Sequence, residues 1–221
     1  WFSLRFKNSE MDNEDEAKEW LESATDVMYT AFNRSNFQQE IFELYHDLIT
    51  FGTAAMFIEE DDEDLLKFST RHINEIYIAE DGKGRIDTVY RRFKISARAA
   101  IQRFGDKVST KVTTVANKDP YEEVEIIHAV YPRSDFDITK QDSSNMPFES
   151  VYIEYKSGDE LSVSGFREFP FVVPRYLKAS HEIYGRSPAM TALPDVKMLN
   201  EMSKTTIKAA QKQVDPPLLV P

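Results

Sequence analysis

Apolar residues recur every three or four positions over residues 13–34, and the same spacing returns over residues 35–52. This period is typical of amphipathic helices that turn one side toward a core. The hydroxyl of Ser35 can cap the second helix, and Gly52 can adopt the left-handed conformation that ends it. Two consecutive helices with a short break predict a helical hairpin.

The middle of the chain changes to short stretches rich in β-branched and aromatic residues, separated by turn residues. Strands are predicted over residues 53–59, 65–71, 75–79, 85–95, 124–131, 151–155 and 161–166. The turns at residues 81–84 and 156–159 contain glycine and predict hairpins. Ser96 and Gly105 bound a short predicted helix, whereas residues 132–149 are polar and are predicted to form a loop.

The carboxy-terminal stretch predicts a long helix. Ser187 supplies an N-cap, Pro188 is the first helical residue, and residues 189–214 contain no glycine. Pro194 either kinks this helix or begins a restarted one. The helix is predicted to stop at residues 215–217, before an apolar extended run. Together the elements predict an α+β fold: an amino-terminal helical hairpin, a mixed, mostly antiparallel β region and a long carboxy-terminal helix.

Composition supports a packed protein. The 221 residues are 41% hydrophobic and 12% aromatic, which is enough to form a core and far from disordered composition. The formal net charge of −11 argues against attraction of the whole surface to nucleic acid or to an anionic membrane. The chain has no cysteine, which fits a reducing compartment, and no apolar run reaches the ~20 residues of a membrane span. Because the chain begins at Trp1, we expect it to be an interior piece of a longer protein.

Motifs for catalysis are sparse, and we predict no catalytic residue, cofactor or metal. Neither the G-x-x-x-x-G-K-[ST] nor the G-x-G-x-x-G phosphate loop occurs, and no histidine has a second histidine at i+4. The acidic run at residues 59–64 is the strongest local charge feature, and carboxylates are what a Mg²⁺-dependent enzyme needs. A solvated turn is the simpler interpretation, since adjacent carboxylates repel one another without a cation. His128, in an apolar strand, is predicted to be a hydrogen-bonded core or interface residue.

The carboxy-terminal helix carries the other candidate surface. On a helical wheel Lys197, Lys204, Lys208 and Lys212 fall on one side, where Glu201 also lies. This side is either an ordinary solvated face with Lys–Glu pairs or a local handle for a polyanion. The same helix also carries the apolar residues Met198, Leu199, Met202 and Ile207.

Several segments of the chain carry a resemblance to a known family. They are Tyr184-Gly185-Arg186-Ser187-Pro188-Ala189, Ala192-Leu193-Pro194-Asp195-Val196-Lys197-Met198-Leu199-Asn200-Glu201, Ala209-Ala210-Gln211-Lys212, Asp215-Pro216-Pro217-Leu218, Asp47-Leu48-Ile49-Thr50-Phe51-Gly52-Thr53-Ala54 and His128-Ala129-Val130-Tyr131-Pro132-Arg133. With these segments the chain resembles, over most of its length, the head-to-tail connecting (portal) proteins of short-tailed, podovirus-type bacteriophages. The carboxy-terminal segments are the most specific, because their order of proline, glycine and helix-forming residues is hard to meet by chance.

The resemblance implies both a fold and a function. Residues 1–182 resemble the peripheral wing of the family, and residues 183–221 resemble the first stem helix and the start of the clip connection. The implied function is a structural, non-enzymatic subunit of a ring of about twelve copies at one capsid vertex, through which double-stranded DNA is packaged and ejected. The implied partners are terminase, a tail adaptor, and capsid and scaffolding proteins. The implied location is the virion, assembled in the cytoplasm of the bacterial host.

The family also implies what this chain lacks, because the clip, the second stem helix, the channel loop and the crown would follow Pro221. A net acidic chain suits a conduit, since each phosphate neutralised by Lys or Arg adds salt-dependent affinity that resists sliding. We therefore expect weak, non-specific contact with DNA, with the four lysines facing either the channel or acidic residues of a neighbour. Assembly of the implied ring is expected to rest on helix packing between neighbouring subunits, through Met198, Leu199, Met202 and Ile207. Two alternatives stay open: a metal-dependent phosphodiesterase or nuclease that uses residues 59–64 with His72, and a wing-like scaffold or prophage remnant that never forms a channel.

Overall fold

The chain folds as an α+β protein, as predicted. The computed structural model describes residues 2–7, 14–137, 139–140 and 142–214. The helices are α1 (Asp15–Arg34), α2 (Phe37–Phe51), α3 (Ala97–Phe104), α4 (Thr110–Lys118) and α5 (Pro188–Val214), and the strands are β1 (Ala55–Asp61), β2 (Leu65–Arg71), β3 (Ile76–Glu80), β4 (Ile86–Ser96), β5 (Glu123–Pro132), β6 (Phe148–Glu154), β7 (Glu160–Phe166) and β8 (Phe171–Val172). The predicted helix start at Asn13 and the predicted stop at residues 215–217 lie outside the described residues.

The predicted amino-terminal helical hairpin is present, with one change at its break. Helix α2 begins at Phe37, and its backbone N–H donates to the Oγ of Ser35 at 3.3 Å. Asn36, the residue between them, pairs instead with both backbone groups of Phe68 on β2, donating at 2.8 Å and accepting at 2.9 Å. Gly52 ends α2 in the left-handed conformation, as predicted, at a φ of 80°. The hairpin is therefore fastened to the neighbouring sheet at its turn.

Two antiparallel sheets form the β region. The larger has the strand order β3-β4-β5-β6-β7 and the smaller β2-β1-β8, and both predicted hairpins are present. Strand β8 was not predicted, because a strand of two residues is too short to show a period. It pairs with Met56 and Phe57 of β1. The predicted loop at residues 132–149 connects β5 to β6 and contains the short 3₁₀ helix Ser143–Asn145.

Helix α4 is the helix that the residue pattern did not predict. Its threonines and valines have low intrinsic helix propensity, because branching at Cβ restricts their side chains in a helix. Two signals were nevertheless present in the sequence. Ser109 caps the helix by accepting the N–H of Val112 at 3.4 Å, and Val112, Val115 and Ala116 follow at helical spacing. These three side chains pack in the core with α3, and that contact outweighs the local propensity.

Buried side chains form three clusters. The first lies between the two sheets, where Phe57 of β1 and Phe171 of β8 pack over Val89 and Val130. The second fills the space under α3 and α4, and the third joins α2 to the small sheet. Helix α5 contributes no buried residue to any of them. The core therefore belongs to the body that precedes α5.

A buried histidine lies between the first two clusters. His128 of β5 places its Nε2 2.9 Å from the Oγ of Ser150, and its ring stacks on that of Tyr152 with the centroids 4.0 Å apart. The prediction of a hydrogen-bonded core histidine is confirmed. Burial, followed by the charges of three nearby arginines, lowers the pKa of His128 from 6.5 to about 3. The imidazole is therefore neutral in the folded protein at pH 7.

We expect the free energy of unfolding to fall as the pH drops below 6.5. The histidine of the unfolded chain binds a proton near pH 6.5, whereas His128 in the folded chain does so only near pH 3, so the unfolded chain binds more protons between these values. The loss is about 1.4 kcal/mol per pH unit, or about 2 kcal/mol by pH 5. Urea unfolding at pH 7 and pH 5 measures it, with His128→Gln as the control that removes this slope. Equal pH dependence in both proteins would contradict the assignment.

Candidate assembly site

Helix α5 projects from the body of the protein. Its 27 residues rise about 1.5 Å each, which gives a rod about 40 Å long. Pro188 is half-buried, and every residue over 189–214 is exposed. Pro194 lies inside one continuous helix, so the alternative of a restarted helix is wrong. None of the helices among the described residues has the length and apolarity needed to cross a membrane.

One half of α5 is apolar although it is exposed. Successive side chains are turned by about 100° around a helix, so Met198 and Ile207 lie on opposite edges, with Leu199 and Met202 between them. Five large apolar side chains lie on this half and are 47–59% exposed: Val196, Met198, Leu199, Met202 and Ile207, which we name the apolar half. The four residues predicted to form a subunit contact therefore span half the helix surface rather than one narrow stripe.

The four predicted lysines lie on the other half of α5. Lys197, Lys204, Lys208 and Lys212 fall within an arc of about 80°, which we name the lysine stripe. Lys204 pairs with Glu201 at 3.3 Å, as the solvated-face interpretation anticipated, and such an exposed pair contributes little stability. The other three lysines form no ion pair within the part of the chain that the structure describes. Their charge is therefore available to an outside partner.

Helix α5 begins at a closely packed joint made of residues 50–53, 175–177 and 184–187. The buried Oγ of Ser187 accepts the N–H of Met190 at 2.9 Å, which confirms the predicted N-cap. The same hydroxyl donates to the carbonyl of Thr50 at 2.8 Å, in the last turn of α2. One side chain therefore starts α5 and also ties it to α2.

Two glycines let the backbones meet at this joint. The N–H of Gly185 donates to the buried Oγ1 of Thr53 at 2.7 Å, and the carbonyl of Gly52 accepts from the N–H of Tyr176 at 2.9 Å. A Cβ on Gly52 would lie 2.5 Å from backbone atoms of residues 185–187, and a Cβ on Gly185 would collide with the carbonyl oxygen of Gly52. Real Cβ atoms do not approach backbone so closely, so both positions require glycine.

The segment before α5 also closes an edge of the large sheet. The Oη of Tyr184 accepts the N–H of Ile78 at 3.2 Å and donates to the carbonyl of Ile76 at 3.3 Å. Strand β3 is the edge strand there, and its free backbone groups would otherwise lack partners. This phenol thereby connects the start of α5 to the sheet.

Charged groups fasten the same segment to the β3–β4 hairpin. Arg175 and Lys178 both donate to the carboxylate of Glu80, and Arg175 also donates to the carbonyl of Gly84 at 3.0 Å. Hydrogen bonds from Lys178 and then from Arg175 lower the pKa of Glu80. The direction of α5 is therefore set by contacts to both α2 and the large sheet.

The acidic run and His72 do not form a common site. The run lies at the exposed tip between β1 and β2, where Asp61 accepts the N–H groups of Glu63 at 3.2 Å and Asp64 at 3.0 Å. His72 follows the far end of β2, about 20 Å along the strand, and its Nδ1 accepts the N–H of Asn74. No three His, Asp or Glu side chains among the described residues are placed to hold a metal ion. The tip is a hydrogen-bonded turn.

These features describe a body from which one long, exposed helix projects. The family model for bacteriophage head to tail connecting protein matches residues 1–221. The chain is 36% identical over 226 residues to the probable portal protein of Bordetella phage BPP-1, and 37% identical over 227 residues to the portal protein of Salmonella phage epsilon15. Each alignment covers all of this chain and 40% or 41% of the relative. The chain belongs to the bacteriophage head to tail connecting protein family, which confirms the resemblance seen in the sequence.

Proposed function

We propose that the chain is part of a portal subunit, a non-enzymatic structural component of a ring in the virion through which double-stranded DNA is packaged and ejected. The observation that carries this proposal is α5, which is exposed over residues 189–214 and is tied to α2 through Ser187 at its start. Large apolar side chains that are exposed together, as in the apolar half, are typical of a contact with other chains. Neighbouring copies in a ring would cover it.

The width of the apolar half supports a ring rather than a closed pair. A subunit in a ring uses two different surfaces, one toward each neighbour, whereas a two-fold dimer uses one self-complementary surface. The edge of α5 at Met198 can contact one neighbour and the edge at Ile207 the other. In this arrangement residues 1–182 form the peripheral wing and residues 183–221 the first stem helix and the start of the clip connection, in a ring of about twelve copies.

The lysine stripe lies on the side of α5 that the apolar contacts leave open. It faces either the channel or acidic residues of a neighbour, and the high net negative charge of the chain keeps any contact with DNA weak and non-specific. The proposal includes terminase, a tail adaptor, and capsid and scaffolding proteins as partners. It also includes assembly at the capsid vertex within the host cytoplasm.

Measuring the mass in solution tests this proposal directly. Light scattering over a range of concentrations is applied to the 221-residue chain and to a chain extended to the length of its relatives. We expect the extended chain to form a ring of about twelve and the shorter one to stay small, because one stem helix alone leaves the ring interface incomplete. Monomers of both under every condition would contradict the ring and favour a scaffold that never forms a channel.

A further inference from the structure

Three arginines from separate elements converge beside the buried His128. Arg71 ends β2, Arg91 lies on β4 and Arg103 lies in the last turn of α3. Strand pairing places Arg91 directly opposite His128, and Arg103 donates to the Oη of Tyr152, whose ring stacks on that of His128. Arg71 pairs with Ala55, on the same face of β1 as Phe57, whose ring centroid lies 5.4 Å from that of His128. We name Arg71, Arg91 and Arg103 the arginine cluster. It lies between the small sheet, the large sheet and α3.

Two members of the cluster have partners within the chain. Arg91 pairs with the carboxylate of Glu75 at 2.8 Å and lies 3.9 Å above the ring of Phe93. Arg103 donates to the Oη of Tyr152 at 2.8 Å. Their positions are therefore fixed before any ligand arrives.

Arg71 differs from both. In the part of the chain that the structure describes, its guanidinium makes no ion pair and donates no hydrogen bond to protein. The carboxylate of Glu59 acts on it from a distance but lies 3.8 Å from Lys67, which competes for that charge. The three arginines are therefore accompanied by two carboxylates, Glu75 and Glu59, and Lys67 shares the second.

Without a bound ligand, this arrangement of charges lowers the stability of the folded protein. Arg71 is half-buried, and its burial, followed by the charge of Arg91, lowers its pKa, although an arginine stays protonated at neutral pH. No fully buried side-chain nitrogen among the described residues lacks a partner, so the donors of Arg71 remain open to solvent. The guanidinium of Arg71 is therefore protonated and half-buried, lies next to like charges, and keeps N–H donors accessible to solvent. Such a group is suited to bind an anion.

We propose that the arginine cluster binds a phosphate group. A guanidinium matches two oxygens of such a group with parallel hydrogen bonds, and the excess of positive charge favours an anion with more than one negative charge over a single carboxylate. The guanidinium of Arg71 supplies free hydrogen-bond donors, while Arg91 and Arg103 supply positive charge from fixed positions. The phosphate belongs either to a nucleic-acid backbone or to a free phosphate ion.

Titration of the 221-residue chain with inorganic phosphate at constant ionic strength tests the proposal. We expect saturable binding by calorimetry, accompanied by a shift of the His128 ring signals in the NMR spectrum, because the cluster surrounds that ring. Arg71→Gln is expected to weaken binding at least ten-fold. The same variant is expected to raise the thermal midpoint in phosphate-free buffer, because it removes an unpaired charge. That second result also shows that the variant folds.

Arg98→Gln is the matched control, since Arg98 is an exposed arginine in the first turn of α3, whereas Arg103 lies in its last turn. It is expected to bind phosphate like the unmodified chain. Absence of saturable binding, an equal response to chloride, or equal weakening in both variants would overturn the proposal. Competition by a short DNA duplex that depends on Arg71 would identify the nucleic-acid backbone as the source of the phosphate. Saturable phosphate binding without that competition would identify the free ion.

Discussion

Replacing Gly52 with alanine is expected to lower the free energy of unfolding by about 4 kcal/mol, the upper range for a single substitution. The left-handed conformation, at a φ of 80°, costs an alanine about 1 kcal/mol. The larger part comes from the joint, where the new Cβ would lie 2.5 Å from three backbone atoms at the start of α5. Backbone cannot rotate away as a side chain can, so α2 and the segment before α5 must separate. Urea unfolding of the 221-residue chain measures the change.

Gly158→Ala is the matched control for this substitution. Gly158 also has a positive φ, of 77°, but nothing lies within 4 Å of the position of its Cβ. Only the cost of placing an alanine in the left-handed conformation remains, so we expect the free energy of unfolding to fall by about 1 kcal/mol. The difference between the two variants isolates the close approach at the joint. If both variants lost the same free energy of unfolding, the backbones at the joint would be able to move apart without loss of stability.

The double substitution Leu199→Asp with Ile207→Asp is expected to abolish the ring in the extended chain. Both side chains are 58% exposed in the single chain, so the free energy of unfolding of the 221-residue protein should change by less than about 1 kcal/mol. In the proposed ring the same positions would be buried against neighbours, where an unpaired carboxylate costs several kcal/mol. We expect subunit affinity to fall at least about 100-fold, measured by light scattering against concentration.

Two control variants separate the apolar contact from charge on α5. Thr205→Asp with Gln211→Asp adds the same charge beside the lysine stripe and is expected to weaken subunit affinity much less than the double substitution in the apolar half. Replacing all four lysines of the stripe with glutamate is expected to change DNA packaging if the stripe faces the channel, or ring formation if it faces a neighbour's acids. Unchanged packaging and assembly would remove any role for the stripe. A ring that survives the double substitution in the apolar half would contradict the proposed interface.

In the proposed ring, the joint and the apolar half would have different roles. The joint fixes the direction of α5 through backbone contacts at Gly52 and Gly185 and through the hydroxyl of Ser187. The apolar half offers the surface that neighbouring copies would cover. Because the joint is built from short, mostly buried contacts, force applied to α5 would be transmitted to α2 and the large sheet. In the proposed conduit for DNA, this connection would join the wall of the channel to the periphery of the ring.

The sequence by itself determined much of this protein. Its apolar periods predicted the helical hairpin, whereas the cap at Ser187, Pro188 and a long stretch without glycine predicted α5. Gly52 marked the end of α2, and the order of residues after Tyr184 identified the family. These features are local, because helix periods and caps depend on residues within a few positions of one another. For the same reason the sequence did not reveal α4, whose β-branched residues disfavour a helix until it packs beside α3.

Only the tertiary structure decided how distant residues meet. Gly52 and Gly185 are far apart in the chain, and nothing local shows that their backbones touch. His72 and the acidic tip likewise lie at opposite ends of β2. They therefore do not come together as the nuclease alternative required. The convergence of Arg71 with Arg91 and Arg103 has the same origin, because sheet register and packing between layers bring together charges that no sequence spacing relates.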